Sequence, residues 1–138
     1  MSEKSLADVA KVMRDIDIAI FSTVTADGVI TTRPMSNNRD VDFDGDSYYF
    51  TSEDTETVTD IEANPHVALG LQGHHHTYVA VSGSAELIRD KQAFEAHWNP
   101  DLDKWFDDGV DTPGVVMIHV KAEKVHYWDG RDGGEVKL

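Results

Sequence analysis

The sequence predicts a mainly β (α+β) domain in which about six antiparallel strands close toward a small barrel, with short helices in the connections. Three observations carry this reading. Apolar and β-branched residues alternate with period two through most of the chain. Turn signals punctuate the alternating runs at Ala26-Asp27-Gly28, Asp44-Gly45 and Gly73-His74-His75-His76. At 138 residues with 40% apolar composition, the chain suits a single domain that buries its own core.

Each element follows from a local pattern. Leu6, Val9, Ala10, Met13 and Ile16 recur at helical spacing, and Ser5 with Asp8 forms a capping pair. The period then becomes two: residues 18–25 and 29–35 are strands joined by the Ala-Asp-Gly hairpin turn. Residues 47–51 (SYYFT) are a third strand. A short helix runs from Asp54 or Thr55 to Ala63, with Val58 and Ile61 on one face and Asn64-Pro65 as its stop. Strands at 67–72 and 77–88 follow, and Asp90 caps a helix bearing Ala93, Phe94, His97 and Trp98. Residues 115–121 form the last long strand, which 125–128 (VHYW) extend or supplement.

Composition excludes several functions. The net charge is −14, from 12 basic and 26 acidic residues, and no Lys or Arg occurs between Arg39 and Arg89. Such a surface repels nucleic acid and anionic membranes. No apolar run approaches the roughly 20 residues of a membrane span. The opening MSEKSLADVAK has no continuous apolar segment of the secretory kind, so the expected location is cytoplasmic. The absence of cysteine removes disulfides and thiolate ligands.

Two metal-like patterns carry little. Asp40 to Asp46 begins like a calcium loop, but its twelfth position is Thr51 where a bidentate Glu is needed. His74-His75-His76 falls in a turn, where adjacent imidazoles diverge; His74 and His76, with His66 nearby, are the better-spaced set, and surface decoration is the simpler reading. His97, His119 and His126 sit among apolar residues and read as structural.

Several segments, taken in order, resemble the pyridoxamine 5′-phosphate oxidase-like, FMN-binding split β-barrels of the general stress protein 26 type. These are Arg33-Pro34-Met35, Asp44-Gly45 with Tyr49-Phe50-Thr51, Ile61 to Val67 (IEANPHV), Val81 to Glu86 (VSGSAE), Trp98 with Trp105-Phe106, and Tyr127-Trp128-Asp129. The resemblance runs from about Leu6 to Trp128. It implies a six-stranded antiparallel split β-barrel with short peripheral helices, a homodimer, and FMN held in a cleft between subunits.

On that resemblance Arg33 faces the FMN phosphate, Pro34 fixes the rim, Met35 packs on the ring, and backbone from Arg33 through Ser36 to Asn38 reaches the ring's polar edge. Phe50, Thr51, Ser52, Thr55 and Thr57 line the entry to the short helix, whose free N–H groups suit an anion. Tyr78 and Trp105 approach the ring, and Trp98 and Phe106 lie near the cleft or the dimer interface. On residue chemistry alone, Arg33 reads instead as a side chain lying along a sheet rim, and Met35 as core; the resemblance is what turns both toward a ligand.

The chain departs from the oxidases at the helix start, where Thr55-Glu56-Thr57 stands in place of a Ser-Arg-Lys run. Two lost charge-assisted contacts, at roughly 1.5–3 kcal/mol each, weaken phosphate binding by roughly two to four orders of magnitude. The C-terminal GRDGGEVKL offers only Arg131 where the oxidases hold substrate with arginine and histidine, so pyridoxamine phosphate oxidation is not expected. The expectation is an FMN-binding stress-type protein; if it is catalytic, its chemistry is flavin-dependent oxidoreduction of an unspecified substrate. Alternatives are a non-catalytic dimer that sequesters flavin or lacks a cofactor, and a binder of F420 or haem. No catalytic side chain is singled out.

Overall fold

The structure is a computed structural model that describes residues 5–14, 16, 18–36, 44–74, 76–98, 100–130 and 132–138. Asn38, His75, Arg131 and residues 40–43 of the acidic loop lie outside the described residues.

Helix α1 (Leu6–Arg14) opens on a reciprocal cap: Asp8 N–H donates to Ser5 Oγ at 3.2 Å, and Ser5 N–H donates to Asp8 Oδ2 at 3.0 Å. Its buried face, Val9, Ala10 and Met13, joins Ile16 against the inside of the sheet. The strands are β1 (Ile18–Val24), β2 (Ile30–Ser36), β3 (Asp46–Ser52), β4 (His66–Gln72), β5 (Thr77–Ile88), β6 (Val115–Asp129) and β7 (Asp132–Lys137). Helix α2 (Glu56–Ala63) lies between β3 and β4, and α3 (Lys91–His97) follows β5.

Period-two burial builds the interior. Ala19, Phe21 and Thr23 of β1 face inward with Val67, Leu69 and Leu71 of β4 and Val79 and Val81 of β5. Full burial of each Val, Leu or Phe side chain among them stabilises the fold by roughly 1.5–3 kcal/mol. All pairs are antiparallel, in the order β2-β1-β4-β5-β6-β3, and β7 adds to β6. The sheet curls without closing, so β2 and β3 stand at the two ends of the strand order and approach each other unpaired. This is the expected split barrel, with α2 packed against β1, β3 and β5.

A second apolar cluster lies under α3 and the 3₁₀ turn Pro100–Lys104. Phe50, Phe94, Leu102, Phe106, Val115 and Met117 form it, with Trp98 against them.

The strand count differs from expectation. Residues 125–128 continue β6, and the seventh strand, β7, comes from the glycine-rich tail. Gly130 reverses the chain at φ +63°, and Gly134 passes so close to the Tyr127 hydroxyl that no side chain fits there. Glycines that lower strand propensity in the sequence are what this close pairing requires.

Candidate functional site

The split between the two edge strands forms a cleft of about 270 Å³. Pro34, Met35 and Ser36 of β2, with Ile18 of β1, make one wall. Phe50, Thr51 and Ser52 of β3 make the other, and Leu102, Trp105 and Phe106 close the end. The wall positions follow from strand chemistry: Pro34 has no N–H to donate, which an edge strand tolerates. Trp105 stands 60% exposed at the mouth, free to lie against a planar ligand.

Trp98 holds this end of the cleft in place. Its indole Nε1 donates to Asp103 Oδ1 at 2.9 Å, and its ring packs on Phe50 at 4.8 Å and on Phe106 at 5.6 Å. Trp98 is therefore an anchor of the second core, Phe50 and Phe106 serve both that core and the cleft wall, and Trp105 is the exposed aromatic of the cleft.

The hydroxyls after β3 turn partly inward on themselves. Thr55 Oγ1 donates to the Ser52 carbonyl at 2.8 Å and lies 3.3 Å from Thr51 Oγ1. Thr55 thus makes no side-chain cap for α2, and Glu56 in the first turn complements the helix dipole. Thr57 is buried at 4% exposure on the inner face of α2. Glu53, just past Ser52, is gripped by Arg89 through Nε at 3.0 and 3.1 Å, and this hydrogen bonding holds its carboxyl below the usual carboxylate range.

Arg33 points along the inner face of β2 into a polar network of its own. Nη1 donates to Thr23 Oγ1 at 2.7 Å, and Nη2 donates to Thr31 Oγ1 at 2.8 Å. Nη2 also lies 3.5 Å from Asp60 Oδ2. Asp60 Oδ2 accepts from Thr23 Oγ1 at 2.8 Å and from Thr31 Oγ1 at 2.9 Å. The Asp60 side chain is only 5% exposed and that of Arg33 is 19% exposed, so the pair is an internal neutralisation.

Of the residues expected around a ligand, the structure brings Pro34, Met35, Ser36, Phe50, Thr51, Ser52 and Trp105 to one cavity. Arg33, Thr55, Thr57 and Tyr78 are not among its lining residues. Tyr78 lies on the outer face of the sheet, paired in register with Trp128 and Gln72. Sequence reasoning missed Ile18, Leu102 and Asp60. Asp60 had one usable signal: it lies three residues from Thr57 and adjoins Ile61, on the buried face of α2.

The histidines have local partners. His119 Nε2 lies 2.9 Å from Asp46 Oδ1, His97 stacks on Tyr48 at 3.5 Å, and His126 stacks on Trp128 at 4.2 Å. Desolvation, aided by nearby His119, pushes the His97 imidazole below its ordinary pKa. Burial and the neighbouring Asp46 and Asp44 carboxylates push the Tyr48 phenol up. Among the described residues, no group of three His, Asp or Glu side chains is arranged to hold a metal.

Comparison with known proteins agrees with this architecture. A crystal structure from Clostridium acetobutylicum, of a protein related to general stress protein 26 of B. subtilis (pyridoxinephosphate oxidase family), superposes at TM-score 0.85. It shares 17% identity, over 100% of this chain and 97% of that one. General stress protein 26 of Bacillus anthracis superposes at TM-score 0.75 with 25% identity, over 93% and 94% of the two chains. A heme binding protein from Mycobacterium smegmatis reaches TM-score 0.78 at 14% identity, over 99% of this chain and 60% of that one. In sequence, protein bli-3 of Neurospora crassa is 28% identical over 91 residues, 59% of this chain and 44% of that relative's length. The family profile described as pyridoxamine 5′-phosphate oxidase like matches residues 4–138. The chain belongs to that pyridoxamine 5′-phosphate oxidase-like family.

Proposed function

We propose that this protein binds a flavin by its ring in the cleft between β2 and β3, as a homodimer of the general stress type. The observation that carries the reading is the composition of that cleft. One wall is the apolar Pro34-Met35 rim and the other Phe50, an exposed indole sits at the mouth, and Ser36, Thr51 and Ser52 supply polar edges. Planar heteroaromatic ligands are held by such apolar faces with a few placed polar groups. The flavin, when bound, supplies any electron transfer, and the protein supplies orientation and exclusion of water.

The dimer reading rests on the outer face. Ile18, Ile20, Tyr78 and Trp128 are exposed there, with the small residues Gly70 and Ala80 between them in register. A flat apolar patch of this kind suits a second copy. Because Ile18 belongs both to this face and to the cleft wall, a partner seated on the face borders the cleft. Tyr78 then takes its place at the subunit interface. The cleft's 270 Å³ falls short of the roughly 300–1,000 Å³ of complete ligand pockets, as a half-site would.

The test is titration of FMN with the purified protein, following quenching of flavin fluorescence, together with the absorbance of the protein as isolated. Saturable quenching at one flavin per chain supports the reading. A colourless protein that leaves flavin fluorescence unchanged contradicts it, and a Soret band with no flavin bands assigns the cleft to haem instead.

A further inference from the structure

We infer that the cleft selects the flavin ring and not its terminal phosphate, so that riboflavin binds at least as tightly as FMN, and that Asp60 sets this preference. The inference rests on the flavin reading above and goes beyond it by naming the ligand's charge class.

A guanidinium only donates hydrogen bonds, and an ionised carboxylate only accepts them. Thr23 Oγ1 accepts from Arg33 at 2.7 Å, so its single proton goes to Asp60 Oδ2 at 2.8 Å. Thr31 Oγ1 accepts at 2.8 Å and likewise donates to Asp60 Oδ2 at 2.9 Å. Both hydroxyls are thereby committed, and the 3.1 Å approach between the two threonine oxygens carries no proton of its own. The four side chains form a closed unit with no net charge. Turning Arg33 toward a phosphate would strand a carboxylate that is 5% exposed among apolar neighbours.

Among the described residues, the nearby Arg89 is already held by Glu53 at 2.6 Å and does not take over the role. Among the described residues that line the cleft, none is Lys or Arg. The first turn of α2 presents Glu56, and the next position inward is the buried Thr57. Glu53 beside Ser52 is neutralised by Arg89, so the repulsion there comes from Glu56 and from the chain's overall −14. A phosphate dianion at this end meets hydroxyls and a negative field. An uncharged ribityl chain meets the same hydroxyls without the repulsion.

The salt dependence then has a definite sign. Phosphate held by a cation is released as salt rises, whereas phosphate repelled by an acidic surface binds better when that field is screened. Dissociation constants of riboflavin and FMN for the wild-type protein, measured by fluorescence quenching at low and high salt, test this. We expect riboflavin to equal or exceed FMN in affinity, with added salt tightening FMN and leaving riboflavin unchanged. In Asp60→Asn, the loosened guanidinium should shift the ratio toward FMN by about tenfold or more, the equivalent of one charge-assisted contact. If wild-type protein prefers FMN by more than about tenfold and salt weakens that binding, the inference is overturned while the flavin reading stands. If neither flavin binds, the flavin reading itself falls. The wild-type ratio and its salt slope decide the matter even if Asp60→Asn fails to fold.

Discussion

Replacing Asp60 with Ala removes the acceptor shared by Thr23, Thr31 and Arg33, which stand 2.8, 2.9 and 3.5 Å from Oδ2. Breaking a buried ion pair by deleting one partner costs about 3–5 kcal/mol. Two features discount this. The Arg33 side chain keeps 19% exposure, and the threonine oxygens, 3.1 Å apart, regain one hydrogen bond between themselves. About 3 kcal/mol remains. Unfolding entropy of about 2.1 cal/mol/K per residue gives about 0.3 kcal/mol/K for a chain of this length. Asp60→Ala should therefore lower Tm by about 10 °C. Calorimetry or circular dichroism on Asp60→Ala, Arg33→Met and the double variant measures the coupling. The double variant should be less destabilised than the two single losses summed, because it leaves no uncompensated charge. A Tm drop under about 3 °C, or additive losses, would refute the closed network and the claim that Arg33 is occupied.

Two further outcomes are accessible by mutation. Trp105→Ala should weaken riboflavin and FMN alike, by about two- to tenfold for the lost ring contact, while leaving Tm nearly unchanged because the indole is 60% exposed; equal affinity would remove Trp105 from the site. For pH, the folded state holds the His97 imidazole less protonated than the unfolded chain does. Its contribution to stability is present above the ordinary histidine pKa of about 6.5 and is lost as pH falls through the depressed folded value. Tm of the wild type should thus fall more steeply with acidification than Tm of His97→Phe, and parallel slopes would contradict the assignment.

Much of the scaffold was legible because its signals are local. The Ser5–Asp8 cap, the alternation in β1 and β4, the Asn64-Pro65 stop and the Asp90 cap each sit within a few residues of the element they define. The seventh strand was not legible. Its Gly130, Gly133 and Gly134 depress strand propensity; Gly130 is needed for the reversal at φ +63°, and Gly133 and Gly134 for their close approach to Tyr127. The cleft walls around Pro34 to Ser36 and Phe50 to Ser52 followed from order and resemblance. The electrostatics did not. Arg33 and Asp60 are 27 residues apart, and Asp60 lies in a helix that also bears Glu56 and Glu62. In sequence Glu56 and Asp60, four residues apart, look like one solvated face; burial of Val58 and Ile61 turns Asp60 inward.

The central claim is where the ring sits, and difference electron density from a crystal grown with riboflavin addresses it most directly. Planar density is expected between the Pro34-Met35 rim and Trp105, with Arg33 still engaged by Thr23, Thr31 and Asp60. Density elsewhere, or a guanidinium swung out of that network toward the ligand, would contradict it.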